Sequence, residues 1–307
     1  LREYCRGRVL FDQPVFWKFN RLFSVKYSCR IRFIYYGKNC IGMDIHGFTE
    51  DYKNHPVLFI GTGLSLRYLE NSYTWDGLLK HICHEFKGND EYYLDVKSKC
   101  MVSEQFDYAK IAEVIERDFN EALENDRNGK FKEVNDVFYK KMGEEVSISR
   151  FKIYISQVLN ELIFRESKKD EISELKKIRK NIASIITTNY DSFVEHLFDF
   201  QPLIGNDILL SNPYGSVYKI HGCVSDPSKI VITDEDYSNF NEKYELVRAQ
   251  LLSIFIHNPI IFIGYNIGDN NIKSLLKTIF TYVEPNSEEA IKIRNNFWLI
   301  MGFREVK

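Results

Sequence analysis

From Val57 onward, short unbroken apolar runs alternate with longer stretches of helical periodicity. Val57-Leu58-Phe59-Ile60 is such a run, and it stops at Gly61-Thr62-Gly63. A continuous β-branched and aromatic run of this length suits a parallel strand covered on both faces. Ile182 to Ile186, Val217 to Ile220, Ile230 to Ile232 and Ile260 to Ile263 read in the same way, and Phe297 to Met301 makes one more. Each is followed within two residues by Gly, Asn, Asp or Thr, residues suited to strand-to-helix turns. The alternation predicts an α/β fold, a Rossmann-like doubly wound parallel sheet.

Between about residues 84 and 181 the strand signal vanishes, which predicts a helical insertion within a domain covering residues 43–307. Ser103 is the expected N-cap of a helix carrying Phe106, Ile111, Val114, Ile115 and Phe119. A second helix is expected from about Ile148 to Phe164, with Phe151, Ile155, Val158, Leu159 and Leu162 on one face. The mixed charges of Lys168 to Lys180 read as a solvated helix face.

The 307 residues suffice for a sizeable core, and 44% hydrophobic with 27% charged residues is a globular balance rather than a disordered or fibrous one. Leu251 to Ile263 is interrupted by His257, Asn258 and Pro259, so it falls short of the roughly 18 apolar residues that a membrane helix needs. The net charge of −2 gives no support for nucleic-acid binding through bulk charge. Residues 1–42 differ from the rest, with nine Lys/Arg against two Asp/Glu and many aromatics. They lack a secretory apolar run and any steady period. Met43 is therefore expected to be the natural start, with a genuine basic extension as the alternative. Cys83, Cys100 and Cys223 form no closely spaced pair, which points away from a disulfide framework and towards a reducing, cytoplasmic setting.

Four strand ends carry residues with chemical capacity. Gly61-Thr62-Gly63-Leu64-Ser65 could hold a pyrophosphate on backbone N–H groups, although Leu66 stands where the dinucleotide fingerprint has its third glycine. Thr187-Thr188-Asn189-Tyr190-Asp191 places an amide and a carboxylate at the next such end, where either could instead cap the following helix. Lys219-Ile220-His221-Gly222 supplies an imidazole, and Gly264-Tyr265-Asn266-Ile267-Gly268-Asp269 a second glycine-rich turn. Polar turns at the carboxyl ends of parallel strands are where open α/β sheets bind ligands. His81 and His84 lie three apart on an expected helix, but no third ligand accompanies them, so no metal is expected.

The ordered series GTGLS, Trp75 with Leu78-Leu79, TTNYD, KIHG, ITDEDY and FIGYNIGD resembles the sirtuin-like domains, most closely the bacterial branch found in anti-phage defence. It runs from about Val57 to Ile279. The four-cysteine zinc module of protein-deacetylating sirtuins has no counterpart, and no acyl-lysine channel motif is evident. The resemblance implies NAD as substrate and its hydrolysis to nicotinamide and ADP-ribose as the activity, gated by a homo-oligomer or a sensor partner. It implies Asn189 and His221 as catalytic residues, with Asn189 positioning ribose or water and His221 acting as general base. Asp191 matches the position that meets the nicotinamide carboxamide, and Gly61, Thr62, Gly63 and Ser65 would hold the pyrophosphate. Gly264, Tyr265 and Asn266 would line the adenosine side. Alternatives are a non-catalytic module sensing NAD or ADP-ribose, and a deacylase or ADP-ribosyltransferase, against which the missing zinc module counts.

Overall fold

The computed structural model describes residues 32–35, 55–102, 105–212, 214–265, 270–284 and 287–301. Seven strands form one all-parallel sheet: β1 (Arg32–Tyr35), β2 (Val57–Ile60), β5 (Ile185–Thr187), β6 (Gln201–Ile204), β7 (Ser216–Lys219), β8 (Ile260–Ile263) and β9 (Phe297–Met301). A two-strand hairpin, β3 (Met101–Val102) and β4 (Gln105–Phe106), stands apart. The helices are, in chain order, α1 (Thr62–Tyr68), α2 (Trp75–Lys87), α3 (Glu91–Lys99), α4 (Tyr108–Asn125), α5 (Lys132–Gly143), α6 (Arg150–Asn160), α7 (Lys169–Lys176) and α8 (Phe193–Phe198). Then follow α9 (Asp234–Lys243), α10 (Glu245–His257), α11 (Asn270–Tyr282) and α12 (Glu288–Asn295).

The sheet order is β1-β9-β8-β2-β5-β7-β6. After β2 the chain builds outward on one side through β5, then returns to the other side at β8. The order therefore reverses at β2, and in doubly wound sheets the ligand crevice opens beyond the strand ends at such a reversal. The burial pattern explains why the strands are apolar throughout. Val57, Phe59, Ile186, Tyr218 and Phe262 face a core shared with Val247, Leu251 and Phe255 of α10 and with Ile272, Leu275 and Leu276 of α11. Leu58, Ile60, Ile185 and Val217 point the other way, onto Leu64 and Tyr68 of α1 and Phe193, Val194 and Leu197 of α8. Successive residues thus serve opposite faces, as the two-residue period of a strand requires.

One expected strand is absent. Ile230 to Ile232 has no ladder partner. Ile230 and Ile232 enter the core of the helical block, whereas Val231 packs with Ala109, Tyr237 and Phe240. The run is apolar because it passes between two cores, and its N–H groups find partners elsewhere: Val231 donates to the His221 carbonyl at 3.0 Å and Ile232 to Asp236 at 3.0 Å. The strand in that part of the sheet is β6 instead, which sequence reading missed. Its Gln201-Pro202-Leu203-Ile204 is half-buried, and proline is tolerated because β6 is the outer strand at that side.

Residues 75–160 hold α2 to α6 around Leu79, Ile82, Ile111, Ile115, Phe119, Phe151 and Ile155. The N-cap of α4 is Asp107, whose carboxylate accepts from the Lys110 N–H at 3.2 Å; Ser103 lies outside the described residues. Phe106 accordingly leaves the helix and sits exposed in β4. α6 is shorter than its apolar pattern, ending where Glu161 turns extended. The same core takes in Cys223, Val224, Ile230 and Ile232, so the segment after His221 is packed into the helical block. Among the described residues no helix is long and apolar enough to cross a membrane. Apart from β1, residues 1–42 and Met43 itself lie outside the described residues.

Candidate active site

Parallel register brings the turns of interest to one edge. Ile60 pairs with Thr187 and with Ile263, and Thr187 pairs with Lys219. The turns at Gly61, Thr188, Ile220 and Gly264 therefore leave the carboxyl ends of four adjacent strands at one level. Asn189 and His221 each lie two residues beyond the Thr187–Lys219 pair.

The first and last of these turns are packed backbone to backbone. The Gly61 N–H donates to the Ile263 carbonyl at 3.0 Å, and the Gly63 N–H to the Gly264 carbonyl at 2.8 Å. A Cβ on Gly63 would lie 2.7 Å from the Gly264 oxygen, and one on Gly61 would lie 2.6 Å from the same atom. Gly264 itself has φ +60°, and its Cβ would meet the Leu64 nitrogen at 2.4 Å. Glycine at all three positions is thus demanded by the contact between the two loops. Tyr265 packs on Phe59 with ring centroids 4.5 Å apart. Asn266 lies outside the described residues.

Side chains join the first turn to the second. Thr62 Oγ1 donates to Asn189 Oδ1 at 3.3 Å, Asn189 Nδ2 to Ser65 Oγ at 3.1 Å, and Ser65 Oγ to Asp191 Oδ2 at 3.0 Å. This relay orients the amide: its oxygen faces Thr62 and its nitrogen faces Ser65. Asp191 Oδ1 accepts from the Phe193 N–H at 3.0 Å, so the carboxylate also supports the start of α8. Two residues earlier, Thr187 Oγ1 donates to the Ile60 carbonyl at 2.8 Å and accepts from the Asn189 N–H at 3.1 Å. Asn189, Asp191 and Ser65 are all buried. An amide has two N–H donors and two acceptor lone pairs, so Asn189 keeps one of each for a ligand.

His221 is buried, its ring edge-on to Tyr237 at 5.4 Å and to Phe240 at 6.4 Å. Tyr237 stacks in turn on Trp75, and Trp75 on Tyr108, so Trp75 belongs to an aromatic row reaching into the helical block. Asp236 completes a capping box with Thr233 and pairs with Lys152 at 2.5 Å. Of the two histidines with metal-like spacing, His84 Nδ1 lies 3.0 Å from Asp90 and His81 stacks on Tyr73.

Thr187, Lys219 and Glu195 are assigned no role from the sequence. Lys219 is fully buried, lies 3.0 Å from Glu195 Oε1, and donates to the Asp191 carbonyl. Burial alone would lower its pKa, but Glu195, Cys223 and Asp191 outweigh that effect and the net direction is upward. The signal was available: a lysine inside an otherwise apolar strand requires a buried acid nearby.

Residues 183–302 match a family model described as a SIR2-like domain. Residues 183–302 are thus similar to a SIR2-like domain, and they hold the TTNYD, KIHG, ITDEDY and FIGYNIGD motifs. Defense-associated sirtuin 2 of Bacillus subtilis is 28% identical over 130 residues, which is 39% of this chain and 13% of that protein. Two proteins named NAD(+) hydrolase ThsA are also similar. The one from Acinetobacter baumannii is 25% identical over 116 residues, 35% of this chain and 24% of its own length. The one from Bacillus cereus is 26% identical over 132 residues, 39% and 28% respectively. The matched segment is thus less than a third of each of these relatives.

Proposed function

We propose that this domain hydrolyses NAD to nicotinamide and ADP-ribose, as an effector of anti-phage defence whose activity is gated by self-association or by a sensor partner. The observation that carries the reading is the relay from Thr62 through Asn189 and Ser65 to Asp191, set at the reversal of strand order beside the strand that leads into His221. The names of the similar proteins support the choice of NAD and of defence.

The chemistry needs little from the protein at the leaving group, because nicotinamide departs as a neutral base. What must be stabilised is an oxocarbenium-like ribose, and this asks for fixed acceptor dipoles and one oriented water. Asn189, whose amide cannot rotate without breaking two hydrogen bonds, is suited to hold a ribose hydroxyl or that water. His221, on the adjacent strand end, would take the proton as water attacks. Asp191 has both oxygens in protein hydrogen bonds yet retains lone pairs for the carboxamide N–H. At the start of α1 the N–H groups of Gly61, Gly63 and Leu64 are bonded within the protein, so the Thr62 N–H and the hydroxyls of Thr62 and Ser65 would meet the pyrophosphate.

The deciding assay measures nicotinamide release from NAD by the wild type, Asn189→Ala and His221→Ala. The expected result is turnover in the wild type and a loss of at least about 100-fold in each variant. Equal turnover in all three would remove these residues from the site. ADP-ribose binding without turnover in any of them would favour a sensing module.

A further inference from the structure

The ion pair between Lys219 and Glu195 takes no direct part in the chemistry above, yet it lies directly beneath it. Lys219 is the last residue of β7, two before His221; Glu195 is on α8, which begins just after the Asn189–Asp191 turn. The ammonium lies 3.0 Å from Glu195 Oε1 and also donates to the main-chain oxygen of Asp191. Both side chains are withdrawn from solvent, Lys219 completely. Such a pair seldom stabilises a fold more than apolar residues of equal volume would. Its distinctive effect here is geometric. One end is fixed to the strand that leads into the imidazole's turn, and the other grips the backbone of the turn carrying the amide. The Asp191 carboxylate then holds Ser65, and Ser65 holds the Asn189 amide.

We propose that Lys219, paired with Glu195, is a positioning residue that sets the placement of Asn189 relative to His221. The kinetic part of this proposal rests on the NAD-hydrolysing reading. The test compares the wild type with Glu195→Gln and with the charge-free double variant Lys219→Met/Glu195→Leu. Melting temperature, kcat and KM for nicotinamide release, and the side-chain amide resonances of Asn189 in asparagine-labelled protein are measured on each. The double variant is expected to melt close to the wild type and keep KM within about threefold, while kcat falls about 10- to 100-fold and the Asn189 resonances move. Wild-type kcat and unmoved resonances would overturn the proposal, as would a rise in KM alone, which reports only uniform binding.

Should the double variant fail to fold, Glu195→Gln carries the test: a fall in kcat of about threefold or more at constant KM, with displaced Asn189 resonances, supports positioning. Wild-type values in that variant refute it. If the wild type itself releases no nicotinamide, the hydrolase reading fails, and the Asn189 resonances alone decide the role of Lys219.

Discussion

The carboxyl edge of the sheet and the helical block at residues 75–160 are held together by opposite means. At the edge, order comes from single contacts that admit no substitute: three glycines where loops touch, and a chain of side-chain hydrogen bonds between turns more than a hundred residues apart. In the helical block, Phe119 alone meets Phe86, Phe131, Phe151 and Tyr154, and the loss of one contact leaves the others. The edge should therefore respond to substitution in an all-or-none way, and the block by degrees.

Gly264→Ala tests the contrast most severely. The left-handed backbone and the 2.4 Å approach to the Leu64 nitrogen together predict a loss of about 3–4 kcal/mol in urea unfolding, with the two loops forced apart. An alanine variant as stable as the wild type would mean that the junction yields freely, and the distinction would fail.

Asp76 sharpens the other side. It accepts from the Tyr93 hydroxyl at 2.7 Å, the Tyr108 hydroxyl at 3.1 Å and the Lys97 ammonium. Partial burial would raise its pKa, but Lys97 and the two hydroxyls outweigh it and hold the carboxyl below its ordinary value. A depressed carboxylate stabilises the fold above its unfolded pKa and ceases to do so as the pH falls through the folded one. Asp76→Asn should cost about 1 kcal/mol near neutrality, a modest figure because the site is partly exposed, and the gap from the wild type should close below about pH 4. A gap that does not change with pH would contradict the assignment.

The smallest effect is chemical. Burial pushes the Cys83 thiol up to about 12, whereas Cys100, half-buried, is raised as well but remains reachable. At pH 8 an alkylating reagent should label Cys100 before Cys83, which reacts only after unfolding, as read by mass spectrometry of the two peptides. Prompt labelling of Cys83 would show that the helical core opens more readily than its packing implies.

The legible part of the fold was the part where local chemistry and tertiary role coincide. Val57 to Ile60 and Ile260 to Ile263 are strands in the middle of the sheet, apolar at every position because both faces are covered. Ile230 to Ile232 has the same composition for another reason, and β6 was hidden by Pro202 and its half-exposed neighbours. At the site, the strand ends announced the turns, but not their mutual bonding. The contact of Ser65 with Asp191 spans 126 residues, and no local pattern encodes it. In the sequence the first glycines read as a backbone cradle for a pyrophosphate, whereas the fold fills the space beside Gly61 and Gly63 with the neighbouring loop.

Pro202 has one more consequence, for the outer margin of the sheet. The Gln201 N–H turns inward to the Gly215 carbonyl at 2.9 Å, so by alternation position 202 faces away from β7. At that point proline offers an incoming polypeptide no amide hydrogen, and its ring obstructs a flush approach. The margin is thereby guarded against templated strand addition, so crowded copies of the domain are denied one common route into aggregates.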